Sequence, residues 1–322
     1  MALGLRPAVD ENAAAWTEAV FAAGDFAGVA MFGSASVWQY YAARALILGE
    51  PAALAALAGF GHAEARLYRG AALWIHGETA AARRELAGSP LAHAQRLLAL
   101  IEQPRIRVLA QLPWVADACT DLLGGAQHDP HFEVRNIGYR EVDAENHPYA
   151  DVGHFLDSTF TPDFYITAMA EWHHVPPNLQ TLPCPTFAHI ADHDLHIQTL
   201  SPWLSLFDEV LVTDRTEWLD VQGLARGLVS SFPKVFGLPT NLPPVPCGER
   251  PLDFFVSGTM LDRYHPDKAV LLHELLSMPD IDLRVVRGAT GTMAYHSMLG
   301  ASKTSFTYVR RAGAMPTRGL ES

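Results

Sequence analysis

Thr186-Phe187-Ala188-His189-Ile190-Ala191-Asp192-His193-Asp194-Leu195-His196 joins an apolar run directly to a crowd of ionisable groups. Pro183 and Pro185 disfavour a helical start, while Phe187, Ala188, Ile190 and Ala191 suit a buried strand, predicted over 186–191. In open parallel α/β sheets ligands bind outside the carboxyl ends of the strands, so a site is sought at Asp192, His193, Asp194 and His196.

The flanking sequence repeats the alternation of strand and helix. Strands are expected at 106–112, 131–137, 164–169 and 209–213. Helices are expected at 114–123, stopped by Gly124-Gly125, at 149–159, through Trp203 and Phe207, and at 217–228. This spacing predicts a mostly parallel, doubly wound α/β sheet. The segment 232–247 carries Pro233, Pro239, Pro243, Pro244 and Pro246 without periodicity, as a linker does. Alternation then resumes, with strands at 254–258, 281–286 and 305–309 and helices at 268–278 and 293–299.

Upstream, residues 11–104 are rich in Ala and Leu, the composition of a helical region. Three phrases share a pattern: Gly24-Asp25, Gly49-Glu50 and Gly77-Glu78. Glycine suits a helix C-terminus and a carboxylate the next N-terminus, so helical hairpins are expected. The spacing is shorter than the ~34 residues of a tetratricopeptide repeat, although 65–86 resembles one at Leu67-Tyr68, Ala72-Leu73 and Ala80-Ala81-Ala82. The expected organisation is a TPR-like helical region (1–104), a first Rossmann-like domain (105–232), a Pro-rich linker (233–250) and a second, partial Rossmann-like domain (251–322).

A formal charge of −12 argues against bulk binding to nucleic acid or anionic lipid. Cys119, Cys184 and Cys247 fit no CxxC pattern, so neither a disulfide framework nor a zinc ribbon is indicated. Met1 to Glu11 lacks an apolar signal core, and no run of ~18 apolar residues follows, so a cytoplasmic protein without an integral membrane segment is expected.

Several local phrases resemble one family. Pro162-Asp163-Phe164-Tyr165-Ile166, the strand ending at Asp192-His193-Asp194, and Phe207-Asp208-Glu209-Val210-Leu211-Val212 follow in the order seen in GT-B glycosyltransferases. The run Ala301-Ser302-Lys303, Tyr308-Val309-Arg310-Arg311 and Met315-Pro316-Thr317-Arg318-Gly319-Leu320-Glu321 is similar to the donor-binding segment of their group 1 and spore-coat-like branch. The resemblance implies two Rossmann-like domains, a nucleotide-sugar donor and no bound metal or other cofactor. It also implies that Glu321 receives hydrogen bonds from the ribose hydroxyls and that Arg318 lies near the diphosphate. Beyond Glu321 that family continues, so the second domain is expected to be incomplete.

The chemistry follows from the residues too. A departing diphosphate needs cations and backbone N–H groups, which Lys303, Arg310, Arg311, Arg318 and the turns after Gly258-Thr259 and Arg287-Gly288 are candidates to supply. An acceptor hydroxyl must lose a proton, for which His193, Asp192 and Asp194 are the first candidates and His173 and His174 the second. His189, His193 and His196 also suggest a metal-dependent hydrolase. However, His189 falls inside the predicted strand, where its offset does not converge on one ion. Glycosyl transfer, with a protein acceptor or partner recruited by 1–104, is therefore the leading expectation. The alternative is a catalytically inactive repeat-plus-Rossmann scaffold for protein interaction.

Overall fold

The computed structural model describes residues 10–112, 129–137, 150–172, 174–213, 215–231, 246–258, 267–287 and 292–305. The chain divides into two compact units, Met1–Ile106 with Leu228–Pro233 and Arg107–Gly227 with Lys234–Ser322.

The first unit holds helices α1 (Asp10–Ala22), α2 (Phe26–Phe32), α3 (Trp38–Leu48), α4 (Pro51–Ala58), α5 (Ala63–Ile75), α6 (Thr79–Ala87) and α7 (Ala92–Glu102). Sequence neighbours pack together, and α3 also packs on α5. Ala42, Ala43, Ala45, Ala53, Ala65 and Ala72 are fully buried or nearly so, and such small side chains bring helix backbones close. Phe21, Trp38 and Tyr68 fill what remains, Phe21 meeting the other two edge to face at 5.2 and 4.9 Å between centroids.

The three glycine phrases act as their sequence implies. Gly24, Gly49 and Gly77 have φ of 78°, 62° and 85°, the left-handed region that side chains resist. Asp25 N–H donates to the Val20 carbonyl while Gly24 N–H donates to Phe21, and Glu78 and Gly77 repeat this with Leu73 and Trp74. These are Schellman closures; Gly49 instead makes the single bond to Ala45 of an αL cap. The acidic residue after each glycine is the N-cap of the next helix, and Asp25 caps with its side chain through Gly28 N–H at 2.8 Å.

The larger sheet has strands β1 (Ile106–Gln111), β2 (Phe132–Asn136), β3 (Phe164–Ala168), β4 (Thr186–Ile190), β5 (Glu209–Val212) and β6 (Leu228–Ser231), in the order β2-β1-β3-β4-β5-β6. Pairings β1/β3, β3/β4 and β4/β5 are parallel. The order reverses between β1 and β3, as in a doubly wound sheet. Helices α8 (His193–Leu204) and α9 (Arg215–Val221) follow β4 and β5. A second sheet, β8-β7-β9, comprises β7 (Leu252–Gly258), β8 (Leu283–Arg287) and β9 (Ser302–Ser305), both pairings parallel, with α10 (Lys268–Leu276) and α11 (Thr292–Gly300) in the crossovers. The α/β class with parallel strands expected from the alternation is what the chain adopts.

Register is fixed at the amino ends by aspartates. Asp163, just before β3, accepts from Arg107 N–H of β1 at 2.7 Å and returns its own N–H to the Arg107 carbonyl at 2.8 Å. Asp208, just before β5, accepts from Thr186 N–H at 2.8 Å and from the Thr186 hydroxyl at 3.0 Å. Asp253 in β7 likewise accepts from Asp282 N–H at 2.9 Å. Asp163 and Asp208 therefore serve strand pairing at the edge opposite the carboxyl ends, although both stand in phrases that carry the family resemblance.

Two expected elements differ, and a third is described only in part. In place of a helix over 149–159, Val152–Phe155 forms a 3₁₀ turn, and Asp157 bridges Phe160. Asp151 accepts from Gly153 N–H at 2.8 Å, and Asp157 accepts from Thr159 N–H and hydroxyl at 2.7 and 2.6 Å. Such side-chain bonds compete with helix formation. The helix expected over 217–228 stops at Val221, and β6 begins at Leu228. Between them a Cβ on Gly227 would lie 2.0 Å from the Asp208 carbonyl oxygen, an approach only glycine permits. The last described strand is Ser302–Ser305, and of the strand expected over 305–309 only Ser305 lies within the described residues. The expected helix 114–123 and nearly all of the Pro-rich linker lie outside the described residues.

Gly77→Ala is expected to cost about 1–2 kcal/mol, since its φ is positive but nothing lies within 4 Å of the added carbon. Gly49→Ala should cost more, because its Cβ would stand 2.8 Å from the His76 ring. Urea unfolding of both variants, with Gly49→Ala the less stable, checks the pair.

Candidate functional site

β3 and β4 both run into polar residues at their carboxyl ends. Directly after β3, Met169 takes φ of 57°, a conformation uncommon for a residue with a side chain. The strand thereby turns into a short 3₁₀ helix, Ala170–Trp172, which packs against β4 and α8. Glu171 from this turn accepts from Ala191 N–H at 2.9 Å and from Asp192 N–H at 2.8 Å, both through Oε1. Its other oxygen, Oε2, is buried and meets no hydrogen-bond partner among the described residues. Burial, with the nearby Asp192 charge adding to it, pushes the Glu171 carboxyl up to about 7 despite the two backbone donors.

The sequence-predicted residues divide here. Asp192 is the N-cap of α8 and is partly exposed, and Asp194 in the first turn is partly exposed too. His193 is 2 % exposed. Its Nδ1 lies 3.4 Å from Glu217 Oε1 and its Nε2 3.1 Å from Asp220 Oδ2, both carboxylates belonging to α9. The Nε2 contact is a hydrogen bond to the Asp220 carboxylate, whereas the Glu217 oxygen lies beside Nδ1. Glu217 is buried as well, and its Oε2 accepts from Thr213 N–H at 2.8 Å and from the Thr213 hydroxyl. His193 is thus a clamp between α8 and α9, and the solvent-facing carboxylates beside it are Asp192 and Asp194.

His189 is 2 % exposed inside β4, in register with Ala168 and Leu211. No group of three metal-ligating side chains stands together among the described residues. Of the second pair of histidines, His173 lies outside the described residues, and the His174 carbonyl accepts from Gln111 Nε2 at 2.9 Å. Gln111 Oε1 in turn accepts from the buried Tyr165 hydroxyl at 2.9 Å, linking the carboxyl end of β1 to β3 across the reversal point of the sheet.

On the expected donor side, Gly258 ends β7 with φ of 102°, which glycine tolerates and other residues resist. Lys268, 2 % exposed at the start of α10, donates to the Ser257 carbonyl at 3.4 Å. Lys303 pairs with Asp253 at 2.7 Å, so this cation ties β9 to β7. Thr259, Arg310, Arg318 and Glu321 lie outside the described residues, as do Arg311 and Gly288.

Glu171, Glu217 and Asp220 were absent from the sequence-level candidates. The carboxyl-end rule that singled out Asp192 applies equally to Glu171, the acidic residue right after β3. Glu217, four residues beyond Thr213, has nearly the spacing of a capping box. No helix among the described residues is long and apolar enough to cross a membrane. Comparison with protein-family models gives no match to the chain, and comparison with curated proteins gives none either.

Two outcomes follow for stability. His193→Ala is expected to cost about 2 kcal/mol, because it opens a cavity at a buried position and removes the Nε2 bond to Asp220; thermal or urea unfolding measures it. Glu171 works in the opposite sense with pH. Below its ordinary value of 4.5 the carboxyl is protonated whether the chain is folded or not, and above about 7 the folded chain must bury the charge. Its contribution to stability therefore falls as pH rises from 4.5 to about 7. Glu171→Gln, whose amide oxygen still accepts both N–H bonds, should gain on wild type by on the order of 3 kcal/mol between pH 4.5 and 8. Urea midpoints at the two pH values give that difference.

Proposed function

We propose that this protein transfers a glycosyl group from a nucleoside-diphosphate sugar to a hydroxyl acceptor. The observation that carries it is the gathering of Asp192, Asp194 and Glu171, whose Oε2 is buried, at the carboxyl ends of β3 and β4 in a parallel, doubly wound sheet. The second parallel sheet, with β7 ending on Gly258, and the sequence resemblance to GT-B enzymes support the same reading.

In this reaction the acceptor O–H gives its proton to a carboxylate, for which partly exposed Asp192 is the candidate. The acceptor oxygen bonds to the anomeric carbon, and the bond from that carbon to the diphosphate breaks. The electron pair leaves on the nucleoside diphosphate, where Arg318 and Arg310 would neutralise charge and Glu321 would hold the ribose. The helical region 1–104 would recruit a polypeptide acceptor, with the chain working in the cytoplasm.

Arg318→Ala and Glu321→Ala are expected to weaken binding of UDP or GDP at least tenfold by titration calorimetry. Unchanged affinity in both variants would sink the proposal. The buried, doubly engaged His193 favours a second reading, an inactive scaffold. Release of UDP from UDP-glucose, or of GDP from GDP-mannose, by the full chain decides between them.

A further inference from the structure

The backbone that leaves β3 is pinned at two residues, Glu171 and His174. Glu171 Oε1 accepts from the Ala191 and Asp192 N–H groups of the β4 to α8 turn at 2.9 and 2.8 Å. The His174 carbonyl accepts from Gln111 Nε2 at 2.9 Å. The chain reaches both through Met169, whose left-handed φ of 57° is of a kind that persists where the surroundings demand it.

Gln111 has both the place and the chemistry for this. It is the last residue of β1 and is 5 % exposed. A backbone carbonyl can only accept, so His174 claims the NH₂ side of the amide. That leaves Oε1 to receive the hydroxyl proton of Tyr165, a fully buried residue of β3, at 2.9 Å. One amide therefore joins β1 both to β3 and to the backbone beyond β3. With little water at hand to replace either bond, losing the amide costs more than losing a surface hydrogen bond.

We propose that Gln111 is a positioning residue that, through the His174 carbonyl, holds Glu171 against the β4 to α8 turn and so fixes the place of Asp192. Glu171 meets Asp192 at its backbone N–H, so what is passed along is position rather than charge. For the use made of Asp192 the inference rests on the glycosyl-transfer reading. The coupling from β1 to the turn rests on the hydrogen bonds themselves.

The test follows amide hydrogen exchange by NMR in full-length protein, with the amides of β5 as the internal reference. Gln111→Met is expected to lower protection at Ala191 and Asp192 by at least about tenfold relative to β5, since local opening is what it promotes. Should the orphaned Tyr165 hydroxyl unfold that variant, the double variant Gln111→Met with Tyr165→Phe, which removes both buried partners together, carries the comparison. Tyr165→Phe alone keeps the bond to His174 and should protect both amides as wild type does. Gln111→Glu can donate to the His174 carbonyl only while its carboxyl is protonated, so it should match wild type at pH 5 and lose protection as it ionises. A fall in protection that β5 shares, or that Tyr165→Phe reproduces, overturns the proposal. So does a Gln111→Glu that is as unprotected at pH 5 as Gln111→Met.

Nucleotide release from UDP-glucose and GDP-mannose separates the two readings. Where wild type turns over, Gln111→Met should lower kcat by about tenfold or more with KM for the donor unchanged, and an unchanged kcat overturns the link to Asp192. Should wild type release no nucleotide, the glycosyl-transfer reading fails, and the exchange result alone decides the coupling.

Discussion

The hydrogen bonds that Asp208 and Asp163 receive at the starts of β4 and β1 hold the strands in one register. Side chains alternate across a sheet with a period of two residues, so a slip of one would turn each buried face outward. With register pinned at the amino ends, the opposite ends of β3 and β4 arrive together. Thr167 and Ala168 of β3 stand beside Ala188 and His189 of β4, and the two turns that follow share the Glu171 carboxyl.

That arrangement separates two kinds of ionisable group. Glu217 accepts from Thr213 out of water and stands beside buried His193, whose Nε2 bonds Asp220, so these contacts join α8 to α9. Glu171 has no cation of its own in this cluster and is left with burial and a neighbouring negative charge, which together favour its protonated form. Chemistry that moves a proton favours the second kind, because a carboxyl whose proton affinity is raised can hold and release a proton near neutral pH.

Much of the fold was legible in the sequence because the strands are apolar runs with prolines or aspartates ahead of them. The three glycines were equally readable, since a left-handed helix end has few other solutions. The stretch 150–159 misled because Val152, Phe155 and Leu156 fall at helical spacing, while Asp151 and Asp157 take nearby N–H groups for themselves. At the site, Asp192 and Asp194 could be named from their place after β4. Glu171 follows β3 within Ala170-Glu171-Trp172, where nothing local distinguishes it from a solvated carboxylate.

The sequence by itself determined the α/β class, the run of helices ahead of it and the strand ends at which ionisable residues gather, because periodicity and backbone restrictions act over a few residues. Only the tertiary structure decided what surrounds those residues. His193 looked like the reactive group by its chemistry, yet α9, over twenty residues away in sequence, brings Glu217 and Asp220 against it. Glu171 looked ordinary, yet the turn after β4 closes over it. Burial and charge proximity set protonation, and both depend on neighbours that only folding supplies.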